Sequence, residues 1–347
     1  MRKMLLVLLL MFGSCTAVIV DTKYGQVKGY PFTTRNQRQV LSFSGIPYAT
    51  PPLGSLRFKD PEPPKPYDGV IDRNVSTECP YYTIPGGILV GDEDCLQLAV
   101  YTPSLNSSKL YPVLVYIHGG GWAFFSGEST YGAQYFMDYD MVVVEIEYRQ
   151  GILGMLSLEN NIIPGNMALK DQVLALKWVQ ENIAAFKGDP KRITLIGHSS
   201  GSSSVNYHMI SPLSRGLFHA TIFISGVAIA PWGLSAPGSA KQLALKIASL
   251  LNCSTINYNE LLVCLQGKNV SDLLSVFQKD DFPLFGKNPF LILVPVIDNY
   301  SKQPFLPENP HLMTIAPVPL FAGVNNLDGF LFSECNSDCQ QYVPAME

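Results

Sequence analysis

Two short glycine-bounded clusters hold the residue types and spacing that acyl chemistry at a serine demands. The first is Gly197-His198-Ser199-Ser200-Gly201. A serine with glycine two residues to either side fits a tight turn in a left-handed backbone conformation, where flanking side chains would collide. Such a turn lifts the Ser199 hydroxyl clear of the backbone, able to attack a carbonyl carbon. The second cluster is His118-Gly119-Gly120-Gly121. Consecutive glycines let backbone N–H groups approach an oxygen without Cβ contacts. N–H groups fixed in advance are what a tetrahedral intermediate needs around its negative oxygen. Either pattern alone also fits an ordinary glycine-rich turn. Together, in this order and each after an apolar run, they point to acyl transfer through a serine. No C-x-x-C pair or histidine cluster suggests zinc, and neither a metal nor an organic cofactor is implied.

The elements that must position these clusters are legible as apolar runs at 113–117, 141–146, 193–196, 221–224 and 320–324. Near-continuous apolar runs of this length are the mark of buried parallel strands. The glycine run follows the first of them and the serine cluster follows the third. Between the second and third, Leu169, Val173, Leu176, Val179, Ile183 and Phe186 recur at helical spacing. Pro164-Gly165 precedes that helix, and Gly188-Asp189-Pro190 ends it. The alternation predicts an α/β fold: a central, mostly parallel sheet flanked by helices and joined by right-handed crossovers. Shorter β-like runs at 18–21, 25–30 and 40–46 predict a small antiparallel region at the N-terminus, and the proline-rich 51–66 must be mostly irregular. With 47% hydrophobic and 15% charged residues, the 347-residue chain has the material for one large core. A net charge of −4 gives no electrostatic case for nucleic-acid or anionic-membrane partners.

Residues 1–17 read as a secretory leader: Arg2 and Lys3, an apolar run over residues 4–12, then small residues ending at Ala17. At ~1.5 Å per residue that run covers about half of a ~30 Å hydrocarbon core, so it is too short to anchor the chain. No later run reaches the ~18 apolar residues of a membrane span, so no stable membrane insertion is expected. Export also suits the sequons at Asn74, Asn106, Asn252, Asn269 and Asn299. Beyond the leader and its Cys15, six cysteines remain: Cys79, Cys95, Cys253, Cys264, Cys335 and Cys339. An even number in an exported chain favours disulfides over metal ligation, with the pairing left open by sequence.

Several further stretches carry a family resemblance. Residues 46–49 (Ile-Pro-Tyr-Ala), 51–54 (Pro-Pro-Leu-Gly) and 56–58 (Leu-Arg-Phe) resemble the opening signature of the type-B carboxylesterase/cholinesterase family. Glu93-Asp94-Cys95-Leu96 and Val100-Tyr101-Thr102-Pro103 are similar to its second signature, and residues 165–190 and 211–226 match the segments flanking its serine turn. The resemblance implies an α/β-hydrolase over residues 18–347, with Ser199 as nucleophile. It implies an oxyanion hole of the N–H groups of Gly120, Gly121 and Ser200, and disulfides Cys79–Cys95 and Cys253–Cys264. Arg149 with Asp171, and Arg57 with Glu93, match buried ion pairs of the scaffold. Asp328 falls in the turn that bears the triad acid, where relatives usually carry Glu; either carboxylate can orient a histidine.

The family's histidine would lie on the order of a hundred residues beyond that acid, whereas His118, His198, His208, His219 and His311 all precede it. The expected reading is a chain truncated before the catalytic histidine region, its sheet incomplete at the C-terminus. The implied activity is hydrolysis of small-molecule carboxylic esters by an acyl-enzyme route, outside the cell. A secreted non-catalytic binding or adhesion relative on the same scaffold is the alternative, against which the intact serine turn argues. Choline esters are disfavoured. The loop between Cys79 and Cys95 offers Tyr81 and Tyr82 but no tryptophan to hold a quaternary ammonium, and His198 stands where cholinesterases carry a carboxylate. Trp122 fits equally as a wall of the acyl pocket or as ordinary packing.

Overall fold

The computed structural model describes residues 18–83, 87–130, 132–276, 293–326 and 328. The expected leader at 1–17, and Cys335 and Cys339, lie outside them.

The five apolar runs form five strands: β8 (Tyr111–Ile117), β9 (Val142–Ile146), β10 (Gly188–His198), β11 (Ala220–Ile224) and β12 (Leu320–Gly323). They lie parallel in the spatial order β9-β8-β10-β11-β12. The N-terminal runs form β1 (Val18–Thr22), β2 (Gly25–Thr33) and β3 (Gln39–Pro47), with the short β4 (Val70–Ile71) beside β2. The antiparallel region is not a separate patch. It joins the parallel block through β7 (Gln97–Thr102), which is antiparallel to both β3 and β9. Sequence reading passed over β7 because it opens on Gln97 and closes on Thr102. All six of its residues are buried. The Gln97 amide is satisfied there: it donates to the Asp94 carbonyl at 2.8 Å and accepts from the Thr77 N–H at 2.9 Å, so burying it carries little penalty. A separate ribbon pairs β5 (Tyr81–Tyr82) with β6 (Leu89–Val90). β12 is the edge of the sheet among the described residues, and all four of its residues are exposed.

Seven α-helices are described: α1 (Gly127–Thr130), α2 (Gly151–Met155), α3 (Met167–Asn182), α4 (Ser200–Ile210), α5 (Ser239–Leu250), α6 (Tyr258–Gln266) and α7 (Val270–Ser275). The long α3 crosses from β9 to β10 and buries Leu169, Val173, Leu176 and Val179 on the sheet. It ends in a 3-10 turn, Ile183–Phe186, with Lys187 left-handed at φ 66°. Phe186 then packs edge-on against Phe43 of β3, with centroids 5.0 Å apart.

Two buried arginines are each paired with a carboxylate. Arg149 donates to both Asp171 oxygens, at 2.8 and 2.7 Å, and to the Lys59 carbonyl at 2.8 Å. Both residues are buried. Arg57 donates to both oxygens of Glu93, and also to the carbonyls of Leu265, Gln266 and Lys268 at the end of α6. It thereby satisfies orphan carbonyls at that helix end and ties the Cys79–Cys95 loop, which carries Glu93, to the segment just after the Cys253–Cys264 disulfide. Replacing Arg149 by Met leaves the Asp171 carboxylate dry and unpaired, an expected loss of about 3–5 kcal/mol. Adding Asp171→Leu should recover most of it. Urea denaturation of the single and double variants checks this, and a double variant as unstable as the single one contradicts it.

Candidate active site

Ser199 joins the end of β10 to the start of α4 with φ 56° and ψ −122°. A non-glycine residue there costs about 1–3 kcal/mol, so the surroundings must enforce it. They do so by close packing. A Cβ on Gly197 would sit 2.3 Å from the backbone of Gly201; one on Gly201, 2.1 Å from the Ile117 carbonyl oxygen; one on Gly226, 2.1 Å from that of Ser199. The Ser199 N–H donates to the Ile224 carbonyl at 2.8 Å, so β11 anchors the turn as well.

The glycine run lies against this turn. A Cβ on Gly119 would be 2.6 Å from the His198 carbonyl oxygen and 3.2 Å from the Ser199 Cβ. Gly120 (φ 103°) and Gly121 (φ 66°) need their freedom, because Ala123 and Phe124 both turn back to donate to the Gly120 carbonyl. No described residue accepts the N–H of Gly120 or Gly121. The N–H of Ser200 opens α4, where the helix supplies no acceptor. Ser199 itself is half-buried.

Trp122 packs behind this arrangement. It is fully buried at φ 55°. Its N–H donates to Ser200 Oγ at 3.3 Å and its Nε1–H to Ser204 Oγ at 2.9 Å. Of the two readings its sequence position allowed, the structure favours packing: the ring braces the glycine loop on α4.

Asp328 stands on the turn after β12, two strands from Ser199. Its carboxylate accepts from the Asn325 N–H at 3.0 Å and from Asn325 Nδ2 at 3.2 Å. Hydrogen bonding from Ser225, then from Asn325, holds that carboxyl below its ordinary range. Ser225 (φ 57°) receives Asn325 Nδ2 at 3.2 Å and donates its N–H to Gly323 at 2.9 Å. Sequence reasoning assigned Ser225 and Asn325 no part here. The available signal was their position just past the ends of parallel strands, Ser225 beside Gly226 and Asn325 three residues before Asp328.

The five histidines divide by environment. His118 is buried, its ring stacked on Tyr148 at 4.2 Å, and burial pushes its pKa down to about 4. Its Nδ1 lies 2.8 Å from the Gly119 carbonyl, which can only accept, so Nδ1 carries the proton and steadies the glycine loop. His208 is also buried, between Gln172 and Ser214. His219 accepts the Ile193 N–H at 3.3 Å, and His311 is exposed on a 3-10 turn. His198 is half-buried; burial lowers its pKa and the nearby Asp328 carboxylate opposes that shift.

All five sequon asparagines are exposed. No cluster of three or more His, Cys, Asp or Glu side chains suited to a metal exists among the described residues. No described helix is long and apolar enough to cross a membrane.

The order β8-β10-β11-β12 gathers the glycine loop, Ser199, Ser225-Gly226 and Asp328 along one carboxyl edge of a parallel sheet, and the fold is that of an α/β-hydrolase. Comparison with known proteins narrows the class. The carboxylesterase family model matches residues 16–345, and the chain belongs to that family. It is 37% identical over 342 residues to esterase FE4 of Myzus persicae, covering 94% of this chain and 60% of that protein. With the juvenile hormone esterase of Tribolium castaneum the identity is 40% over 303 residues, 84% of this chain and 51% of that one. The cocaine esterase of Homo sapiens is 38% identical over 330 residues, 89% and 56% of the two chains. The chain thus spans between about half and three-fifths of the length of these relatives.

Proposed function

We propose that this chain carries the nucleophile, oxyanion hole and acid of a secreted carboxylic ester hydrolase. Ser199 attacks the ester carbonyl, and the N–H groups of Gly120, Gly121 and Ser200 hold the resulting oxyanion. The alcohol leaves, and water releases the acyl group from Ser199. Asp328 orients an imidazole that moves the proton, supplied by none of the five histidines in residues 1–347. Asp328 is one methylene shorter than the glutamate usual in relatives, and its anchoring by Asn325 and Ser225 suits a fixed, ionised partner for that imidazole. The single observation that carries this reading is the strained Ser199 backbone packed against the glycine loop, whose Gly120 and Gly121 N–H groups have no acceptor among the described residues. The leader at 1–17 and the five exposed sequons support export.

A fluorophosphonate probe and p-nitrophenyl acetate test it on folded protein, made in a secreting host, that also carries the partner imidazole, since a serine without its base is a weak nucleophile. Label on the Ser199 peptide is expected, with labelling and turnover both lost in Ser199→Ala by about 1,000-fold or more. Folded protein that leaves Ser199 unlabelled belongs instead to the binding or adhesion class.

A further inference from the structure

Asn74 lies on the rim of a surface hollow of about 310 Å³, whose walls include Phe32, Tyr101, Glu128, Ser129, Thr130 and Gln134. That size is at the low end of small-ligand sites (~300–1,000 Å³), room for a sugar ring or two and too little for a folded partner. The wall chemistry suits a saccharide. Phe32 is half-buried and braced edge to face on the buried Tyr101 at 5.0 Å, and a pyranose offers an apolar C–H face to such an aromatic ring. Glu128, Ser129, Thr130 and Gln134 supply acceptors and donors for its hydroxyl and acetamido groups.

We propose that this hollow seats the first sugar of a glycan carried by Asn74, an N-acetylhexosamine, rather than a diffusing ligand. The inference rests on the export reading, since only an exported chain meets the machinery that glycosylates sequons. The occupant follows from the tether. A group attached at the rim faces the walls at a local concentration in the millimolar range. A contact of ~1 mM intrinsic affinity, useless to a free sugar, therefore keeps a tethered one mostly docked at ~10 mM effective concentration. The seat spans a seam in the fold. Glu128 already bridges it, accepting from the Ser76 N–H at 2.7 Å and from Ser44 Oγ at 2.6 Å. A docked sugar adds a second clamp between the 70–76 segment and α1, seven residues after Gly120 by sequence.

The test uses native, glycosylated protein and enzymatic glycan release, followed by peptide mass spectrometry at each sequon. Ser129→Arg and Gln134→Trp fill the hollow from exposed positions whose side chains make no hydrogen bond to a described residue. Release at Asn74 is expected to run roughly tenfold faster in both than in the unsubstituted protein, as a docked fraction of about nine-tenths requires. Rates at Asn106, Asn252, Asn269 and Asn299 should stay unchanged. Asn74→Gln should lower Tm by about 2 °C and cost nothing further in the Ser129→Arg background. Glycans at other sequons with Asn74 empty would overturn the docked sugar while leaving export intact. An occupied Asn74 whose release is unmoved or slowed by both fillers would overturn it too. Ser199 labelling is independent of every arm.

Discussion

Gly201→Ala is expected to destroy the reactivity of Ser199 toward fluorophosphonates, by about 100-fold or more, while destabilising the fold by about 3 kcal/mol. The methyl would lie 2.1 Å from the Ile117 carbonyl oxygen and 2.5 Å from that of His118. Both are backbone atoms at the end of β8, so no side-chain rotation relieves the clash. Ordinary overpacking in a core costs about 1–3 kcal/mol, and a clash with fixed backbone stands at the top of that range. Relief can come only by moving α4 away from β8, which separates Ser199 from the glycine loop. Displacements near 1 Å already cost on the order of 100-fold in rate where geometry matters. Gly323→Ala is the control, since its Cβ meets nothing within 4 Å. Labelling rates and urea midpoints for both variants check the argument. A Gly201→Ala protein that labels at the unsubstituted rate would show that the serine turn does not depend on this contact.

That prediction draws on a part of the fold that was legible in the sequence. Five apolar runs became five parallel strands, and the two glycine clusters fell at the ends of β10 and β8. Composition and period suffice there, because a strand buried on both faces has little room for polar side chains. β7 was not legible for the converse reason. Its Gln97 accepts from the Thr77 N–H and donates to the Asp94 carbonyl, partners set by the chain on and beside the Cys79–Cys95 loop rather than by its own run of residues. The support of Asp328 by Ser225 and Asn325 was hidden in the same way: it joins residues 100 apart in sequence. Trp122 sits where an acyl-pocket wall could stand; only the three-dimensional path of α4 places Ser204 under its indole nitrogen.

β9 holds the second large effect, because its sequence Val-Val-Val-Glu-Ile puts a carboxyl group in the middle of an apolar run and Glu147 follows directly. Glu145 is 3% exposed and Glu147 1%. Burial, aggravated by the neighbouring Glu128, pushes Glu145 well above its ordinary pKa. Burial likewise drives Glu147 up to about 8, with Glu128 and Glu78 adding to the push. The other groups facing this cluster are Tyr101 from β7, Tyr81 from the disulfide loop and Tyr48, whose hydroxyl donates to the Glu147 carbonyl at 2.7 Å. No ion pair among the described residues reaches Glu128, Glu145 or Glu147. A carboxyl whose folded pKa lies above its unfolded value near 4.5 binds more protons in the folded state. Its stabilisation is therefore complete below pH ~4.5 and is lost as pH rises towards 8. Glu147 alone would remove about 3 kcal/mol between pH 4.5 and 7, at 1.36 kcal/mol per pH unit.

Glu147→Gln removes that slope while keeping an acceptor for Ser126 Oγ and the Gly127 N–H, which Glu147 receives at 2.6 and 3.0 Å. The variant should match the unsubstituted protein near pH 5 and exceed it by about 3 kcal/mol at pH 8, with Glu145→Gln acting in the same direction. Urea midpoints at half-unit steps from pH 5 to 8 read this out. Parallel curves for Glu147→Gln and the unsubstituted protein would mean that Glu147 is already ionised in the folded state. The Ser126 and Gly127 bonds favour the ionised carboxylate, so they do not weaken as it loses its proton. The cost comes first from holding a negative charge dry, with the neighbouring Glu128 and Glu78 adding to it. Relief of that charge, by loosening α1, would disturb the same chain segment that carries the glycine loop, so Ser199 labelling should slow on the alkaline side in the unsubstituted protein before it slows in Glu147→Gln.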